Sequence, residues 1–501
     1  ALVIYKSSPA GWVVVPLGFE VAFTAGTVAY AEGSTLTQGG VTATIRRVAL
    51  QSGSWGSGTA AGRFIVGSVS RGSFAAGAAA GTGAATLSGA QTAITLLPGG
   101  RVQTDVGNFG LGPRLYGCDG VNRGFEFDGT YYAPISTGMA QDMPTHVLTH
   151  KGHLFFAFGD DLMHSSIASR TNLYPQFNWT AAGGAAQYPM ESPVACLLRQ
   201  PGDQSSGAMS ISLQSSTKML YGNSAADFRV VDFEESAGAK AYSGQRLGGQ
   251  ALVFGDIGVF SIGAAQNFGN FTPSSMTMPI RPWTQIRRNL CTASLVNREK
   301  SQYRVFFSDG QGLYLTIVNG KLLGMLPVGF PNKVVCASQG DSPDGTESAF
   351  FGSDNGYVYE MERGTSFDGA PVPSYLTFVI TSQGAMQTLK NYRSASFEIQ
   401  GASYSAFNVT YDIGYGSADL TQGTDASPVT VNLSNVYWDA FTWDSFTWDG
   451  RTLAPISVDF YGSAENIAIR IEATSALYNQ FTINSILLRF KPRRGMRGGH
   501  S

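Results

Sequence analysis

YRVFFSDGQGLYLTI, residues 303–317, sets one apolar run against another across Ser-Asp-Gly. Asp-Gly supplies the positive-φ positions of a tight turn, so the stretch predicts a β-hairpin. The same phrase recurs in RGFEFDGTYYAPI (123–135), HLFFAFGDDLMHSS (153–166), QALVFGDIGVFSIG (250–263) and SAFFGSDNGYVYEME (348–362). MLYGNSAADFRVVDF (219–233) fits it less well. The turns fall near 128, 160, 256, 309 and 354, and their uneven spacing averages about 45 residues, close to one four-stranded blade per repeat. A degenerate β-propeller over 101–370 is the geometric solution, and it leaves only short, protected strand edges.

Composition agrees with a mainly β chain. Aromatic and β-branched residues are plentiful, 62 glycines supply turns, and stretches with helical periodicity are hard to find. At 501 residues the chain is long enough for several domains. Only 14% of it is charged, against about 25% in an ordinary soluble domain. That scarcity points to burial between subunits. A formal net charge of −2 gives no overall attraction to nucleic acid or an anionic membrane. Cys118, Cys196, Cys291 and Cys336 are far apart with no C-x-x-C spacing, so reduced thiols are expected. The opening ALVIYKSSPAGWVVVPLG reads as a strand segment over 1–16, neither signal peptide nor membrane span.

The flanking zones differ from the centre. Residues 17–100 are rich in Gly, Ala, Ser and Thr, with no charge between Arg71 and Arg101. Alternating runs such as VTATIRRV predict a small β-barrel or hairpin domain there, its last part a candidate mobile loop. Over 371–490 the alternation is cleaner. Phe407, Val409, Tyr411, Ile413 and Tyr415 share one face, as do Ile467, Ile469 and Ile471. Half-buried strands of this kind predict a β-sandwich. Residues 491–501, KPRRGMRGGHS, carry Lys491, Arg493, Arg494 and Arg497. They read as a solvated basic tail or as an arm that docks on a neighbour or touches phosphate.

VYWDAFTWDSFTWDG (436–450) holds Trp438, Trp443 and Trp448, each followed by Asp. A step of five sends successive rings to opposite faces of a strand, and roughly 140° apart on a helix. The run is expected to be a bent arc within the sandwich. Trp438, Phe441, Trp443, Phe446 and Trp448 then pack either on their own domain or on another subunit.

Catalytic signatures are mostly missing. No P-loop, H-E-x-x-H or G-x-S-x-G motif occurs. His146, His150 and His153 would line one face of a helix, but Pro144, Gly152 and the following LFFAF favour a strand. Together with His164 they are expected to be turn and core residues rather than a metal site. The clusters Asp160/Asp161, Asp232/Glu234/Glu235 and Asp341/Asp344/Glu347 offer carboxylate pairs for glycoside hydrolysis. Asp309 and Asp354 resemble the Asp-boxes of sialidases, although Asp at such tips mainly organises the turn. No cofactor is implied.

RLYGCDGVNRGFEFDG (114–129), SQYRVFFSDGQGLYLT (301–316), RGTSFDG (363–369) and WDAFTWDSFTWDG (438–450) resemble the tail nozzle, or tail-tube, proteins of short-tailed bacteriophages. The resemblance covers roughly 101–490 and is one of phrasing and architecture. It implies a non-enzymatic virion subunit, assembled in the host cytoplasm as a hexamer around a central channel. Such a ring attaches to the portal adaptor, carries tail fibres or tailspikes, and lets genomic DNA pass without stable membrane insertion. The near-neutral balance suits such a conduit, because a lumen lined with lysine and arginine would grip phosphates. A fibre-attachment or baseplate protein, and a propeller-type glycan hydrolase, are the alternatives.

Overall fold

The computed structural model describes residues 2–169, 172, 174–200, 208–262, 275–342, 344–401, 405–416, 429–433, 454–474 and 481–493. Its regular structure is almost entirely strand, and the chain divides into two compact units, Ala1–Met361 and Glu362–Ser501.

The Asp-Gly phrases form antiparallel hairpins. Gly255 and Gly258 face each other across Asp256-Ile257, and Phe158 faces Asp161 across Gly159-Asp160. Among the described residues six such sheets succeed one another, over 103–134, 146–189, 194–234, 245–262, 291–329 and 334–360. Four have four strands; the fourth and sixth have three. The weak phrase at 219–233 supplies the outer strands of the third sheet, with Tyr221 opposite Arg229.

Each sheet buries one face against the next, as a propeller requires. Tyr116 and Tyr132 of the first meet Val147 and Phe156 of the second. Phe155 packs with Ile211, Met219 with Val253, Phe254 with Phe307, and Phe306 with Phe351, carrying the contact to the sixth sheet. No such cluster joins the sixth sheet to the first among the described residues.

Before the propeller, a hairpin (Tyr5–Ser8, Gly11–Val14) leads into a six-stranded closed barrel. Strand Phe19–Val28 pairs with both Ala60–Ser70 and Ala84–Leu87, which closes the sheet. The Gly/Ala composition has a packing reason: a Cβ at Gly26 would lie 2.4 Å from the Trp55 ring, inside any tolerable contact. Trp55 stacks in turn on Phe23, and Phe23 on Phe64 at 4.2 Å between centroids. Within this zone Gly77–Gly81 pairs with Ala84–Leu87, and the last part, after the two-residue strand Thr92–Ala93, carries no strand until Gln103.

Barrel and propeller share a buried charge cluster. Arg47 of the barrel lies 2.8 Å from Glu126 and 2.6 Å from Asp128 of the first sheet, and also pairs with Glu32. Arg47 is 2% exposed and Glu126 0%. Arg114 Nη1 and Gln176 Nε2 donate to the same Glu126 carboxylate at 2.7 and 2.6 Å. Burial pushes the Glu126 carboxyl up, against the downward pull of Arg47 and Arg114. Glu20 makes a second link, 2.8 Å from Arg123 and 3.2 Å from Arg63.

The second unit is a sandwich of two antiparallel sheets. One runs in the order Pro373–Thr377, Ile467–Thr474, Ser405–Ile413, Val429–Leu433. In the other, Lys390–Gly401 pairs with Ala454–Asp459 and Phe481–Pro492. Phe397, Ile399 and Val458 from one sheet share a core with Phe407, Tyr411 and Ile469 from the other. The expected face Phe407, Val409, Tyr411, Ile413 is buried, but Tyr415 is not part of it. The strand ends at Ile413, and Tyr415 follows in a turn at φ 59°, 76% exposed. Lys390, fully buried, donates to the carbonyls of Ala385, Thr388 and Glu465, tying two connections to the sheet.

Glu126→Gln removes the negative charge that compensates Arg47 and Arg114, leaving buried guanidinium groups underpaired. Loss of a buried partner costs about 3–5 kcal/mol, so urea unfolding of the first unit should shift by that order, while Glu398→Gln, on an exposed sandwich hydrogen bond, should leave it unchanged.

Candidate functional site

The first strands of all six sheets line one cavity of about 1090 Å³. Its cations are Arg101, Arg199, Arg246 and Arg298, and its carboxylate is Asp105. Two of the arginines are engaged. Arg199 pairs with Asp105, whose Oδ2 also accepts the Thr149 N–H at 2.6 Å and its hydroxyl at 2.7 Å. Arg298 pairs with Asp341 and, at 3.1 Å, with Glu347. Among the described residues no carboxylate lies within ion-pair distance of Arg101 or Arg246. The Arg101 guanidinium instead lies 3.5 Å from the Tyr242 ring centroid, a cation–π contact. Burial draws the Arg101 pKa down.

Tyr242 is held at φ 65°, a conformation that costs a non-glycine residue energy. His146 also stacks on this aromatic, at 5.8 Å between ring centroids. The walls are partly apolar. Phe350 and Val358 of the sixth sheet, 41% and 55% exposed, face the cavity, as do Val102 and Val106 at the first. The cavity therefore reaches into the junction where sheets six and one share no core.

His146, His150, His153 and His164 are all buried strand residues. His150 faces His153 across a hairpin. His153 and His164 both donate Nδ1–H to the Ser165 carbonyl, at 2.7 and 2.8 Å, and meet edge-to-face at 4.7 Å. That fixes the neutral tautomer with Nε2 turned among Phe155, Phe228 and Tyr188. Burial draws His146 and His164 down to about 4. No group of three metal-ligating side chains gathers among the described residues.

The other predicted positions are scattered. Asp309 organises its turn through the Gln311 N–H and pairs with Arg287 at 2.7 Å; Asp354 accepts from the Ser353 hydroxyl at an exposed tip. Asp232 is held by Lys218 at 2.5 Å, Glu234 by Ser236, and Asp344 accepts from Thr346, so these acids serve turns and ion pairs. Asp161 opens strand Asp161–His164 beside Asp160. The thiols are unpaired: Cys118 and Cys196 are buried, Cys291 half-buried and Cys336 exposed on the cavity. Lys491 lies near the end of strand Phe481–Pro492, and the Arg493 N–H donates to the Leu389 carbonyl at 2.7 Å, so the basic stretch begins anchored to the sandwich. Trp438, Phe441, Trp443, Phe446, Trp448, Arg494 and Arg497 lie outside the described residues.

The sandwich has an apolar surface that the sequence pattern did not single out. Its edge strand Pro373–Thr377 is exposed throughout, with Tyr375 and Leu376 open at 74% and 46%. Val379, just beyond, is 85% exposed.

No family model matches the chain, and no curated protein matches it. Solved structures similar to it are distant. A crystal structure of BBS1N in complex with ARL6DN shares 17% identity over 52% of this chain and 76% of that one, with a TM-score of 0.35. The extracellular domain of a hybrid two component system, BT4673 from B. thetaiotaomicron, shares 13% over 55% of this chain and 33% of that one, at 0.38. A chain of the Mitotic Checkpoint Complex shares 10% over 55% and 80%, at 0.35. None of these likenesses bears on function.

Because His146 and His164 titrate near 4 when folded and near 6.5 when unfolded, the unfolded chain binds more protons between those values. Stability should be fully present above about pH 6.5 and fall as pH drops toward 4. Denaturation midpoints measured at neutral and mildly acidic pH should show this loss, and His164→Phe should reduce it.

Proposed function

We propose that the chain is a structural, non-enzymatic subunit of a bacteriophage tail nozzle, assembled as a hexameric ring around the DNA-ejection channel. The observation that carries the reading is the exposed apolar edge of the sandwich, Tyr375, Leu376 and Val379. Pro373–Thr377 pairs on one side only among the described residues, and an edge strand with large side chains facing solvent is a template for pairing with another chain, which monomeric proteins blunt or cover. Low charge density supports it too, since the cores of subunit interfaces are depleted of charged residues and enriched in aromatic ones. The Trp438–Trp448 run, the resemblance of 114–129, 301–316 and 438–450 to tail proteins, and the welded barrel and propeller point the same way. In this reading the ring joins the portal adaptor below the head and carries fibres or tailspikes outside, with Lys491, Arg493, Arg494 and Arg497 as a docking arm.

Native mass spectrometry tests the assembly. The wild-type chain should form rings; Tyr375→Asp with Val379→Asp, and separately the triple replacement of Trp438, Trp443 and Trp448 by alanine, should give soluble subunits that no longer close. Wild-type protein that stays monomeric at working concentration would sink the proposal, and intact rings in the tryptophan variant would assign those rings to packing within the domain.

A further inference from the structure

We propose that the propeller's central cavity is a binding site for a carboxylate-bearing organic anion with an apolar body, held by Arg101 and Arg246. The inference is independent of the tail assignment, because it concerns the interior of one propeller rather than a ring of subunits.

Three observations converge. The first is charge: four arginines face the space and one carboxylate does, and that carboxylate is consumed by Arg199 and Thr149. Arg298 is satisfied by Asp341 and Glu347, whereas Arg101 and Arg246 meet no acid among the described residues. A guanidinium presents a planar fork of donors that matches a carboxylate, and it interacts more strongly where water is partly excluded. The second is positioning. Arg101 is half-buried with its guanidinium carbon 3.5 Å from the ring centroid of Tyr242, a residue kept in a costly backbone conformation with His146 stacked against it. The cation–π contact restrains the guanidinium before any ligand arrives, which reduces the ordering cost of binding. The third is the wall. Phe350, Val358, Val102 and Val106 expose apolar surface to the same space. A bare inorganic ion would leave them wet, whereas a ligand with an apolar body would cover them. At about 1090 Å³ the cavity has room for such a molecule. Gln245 and Ser294 add polar groups to the lining, although they also bond to each other, Gln245 Nε2 donating to the Ser294 carbonyl at 3.0 Å.

Isothermal titration of the full chain with trimesate, an aromatic tricarboxylate, and with inorganic tripolyphosphate tests the site. Trimesate should bind the wild type, and Arg101→Gln and Arg246→Gln should each weaken it by about tenfold, the scale of one charge-assisted hydrogen bond. Arg246 is exposed, so its variant keeps the test valid should Arg101→Gln disturb the Tyr242 stack. Phe350→Ser should weaken trimesate and leave tripolyphosphate unchanged. Tighter binding of tripolyphosphate than of trimesate would overturn the apolar-body assignment. Absence of trimesate binding at millimolar concentration, or binding that neither arginine variant alters, would overturn the site.

Discussion

The first unit depends on a charge that has no water around it. Glu126 lies at the first blade with no exposed surface, and it is tolerable there only because Arg47, Arg114 and Gln176 surround it. A carboxylate taken from water costs several kcal/mol, an amount that good pairing offsets but seldom exceeds. Such a cluster is poor glue compared with an apolar contact of equal area. What it adds is geometry: Arg47 reaches Glu126 and Asp128 together only in one register of barrel on blade. The apolar contact of Ala49 and Ile65 with the Tyr116 and Tyr132 cluster supplies area around it, and the ions supply the angle.

The propeller solves the opposite problem. Five successive sheet junctions are closed by apolar cores, whereas the sixth and first sheets leave Phe350, Val358, Val102 and Val106 open to the central space. In a ring of blades, every junction left without a core transfers its apolar surface to the cavity. The arginines face the same cavity because first strands point inward, and a cation near open space is less costly than one between packed sheets. Apolar surface and cation thus meet in one place through the geometry of the ring.

Much of the architecture was legible in the hairpin phrase. Asp-Gly between apolar runs is a local signal, and the turns at Asp128, Asp160, Asp256, Asp309 and Asp354 all fall between paired strands. Alternation likewise marked the sandwich core from Phe407 to Ile413, but it overran at Tyr415, where the backbone turns and parity no longer assigns a face. The charge cluster was illegible because Arg47 and Glu126 belong to different domains and nothing near either residue names the other. The cavity residues were missed for the same reason: Arg101, Tyr242 and Arg246 come from separate parts of the ring. One local clue existed, since Arg101 ends a long charge-free run, and a lone cation after such a run is a residue with a specific place to be.

The sandwich edge shows why low charge and exposed apolar surface belong to one argument. Several ions of the first unit are engaged in part-buried or buried pairs: Arg47 with Glu126, Arg123 with Glu20, Arg199 with Asp105, Arg287 with Asp309. Ions used inside are not available to keep an edge strand solvated. Tyr375 has Arg470 near its ring at 5.7 Å, and the sequence from Pro373 through Leu376 and Val379 carries no charge until Lys390. Proteins that remain alone in solution put lysine or a bulge at such an edge. In the proposed ring a neighbour would cover this strand, and a closed ring of identical subunits covers every such edge without leaving a free end.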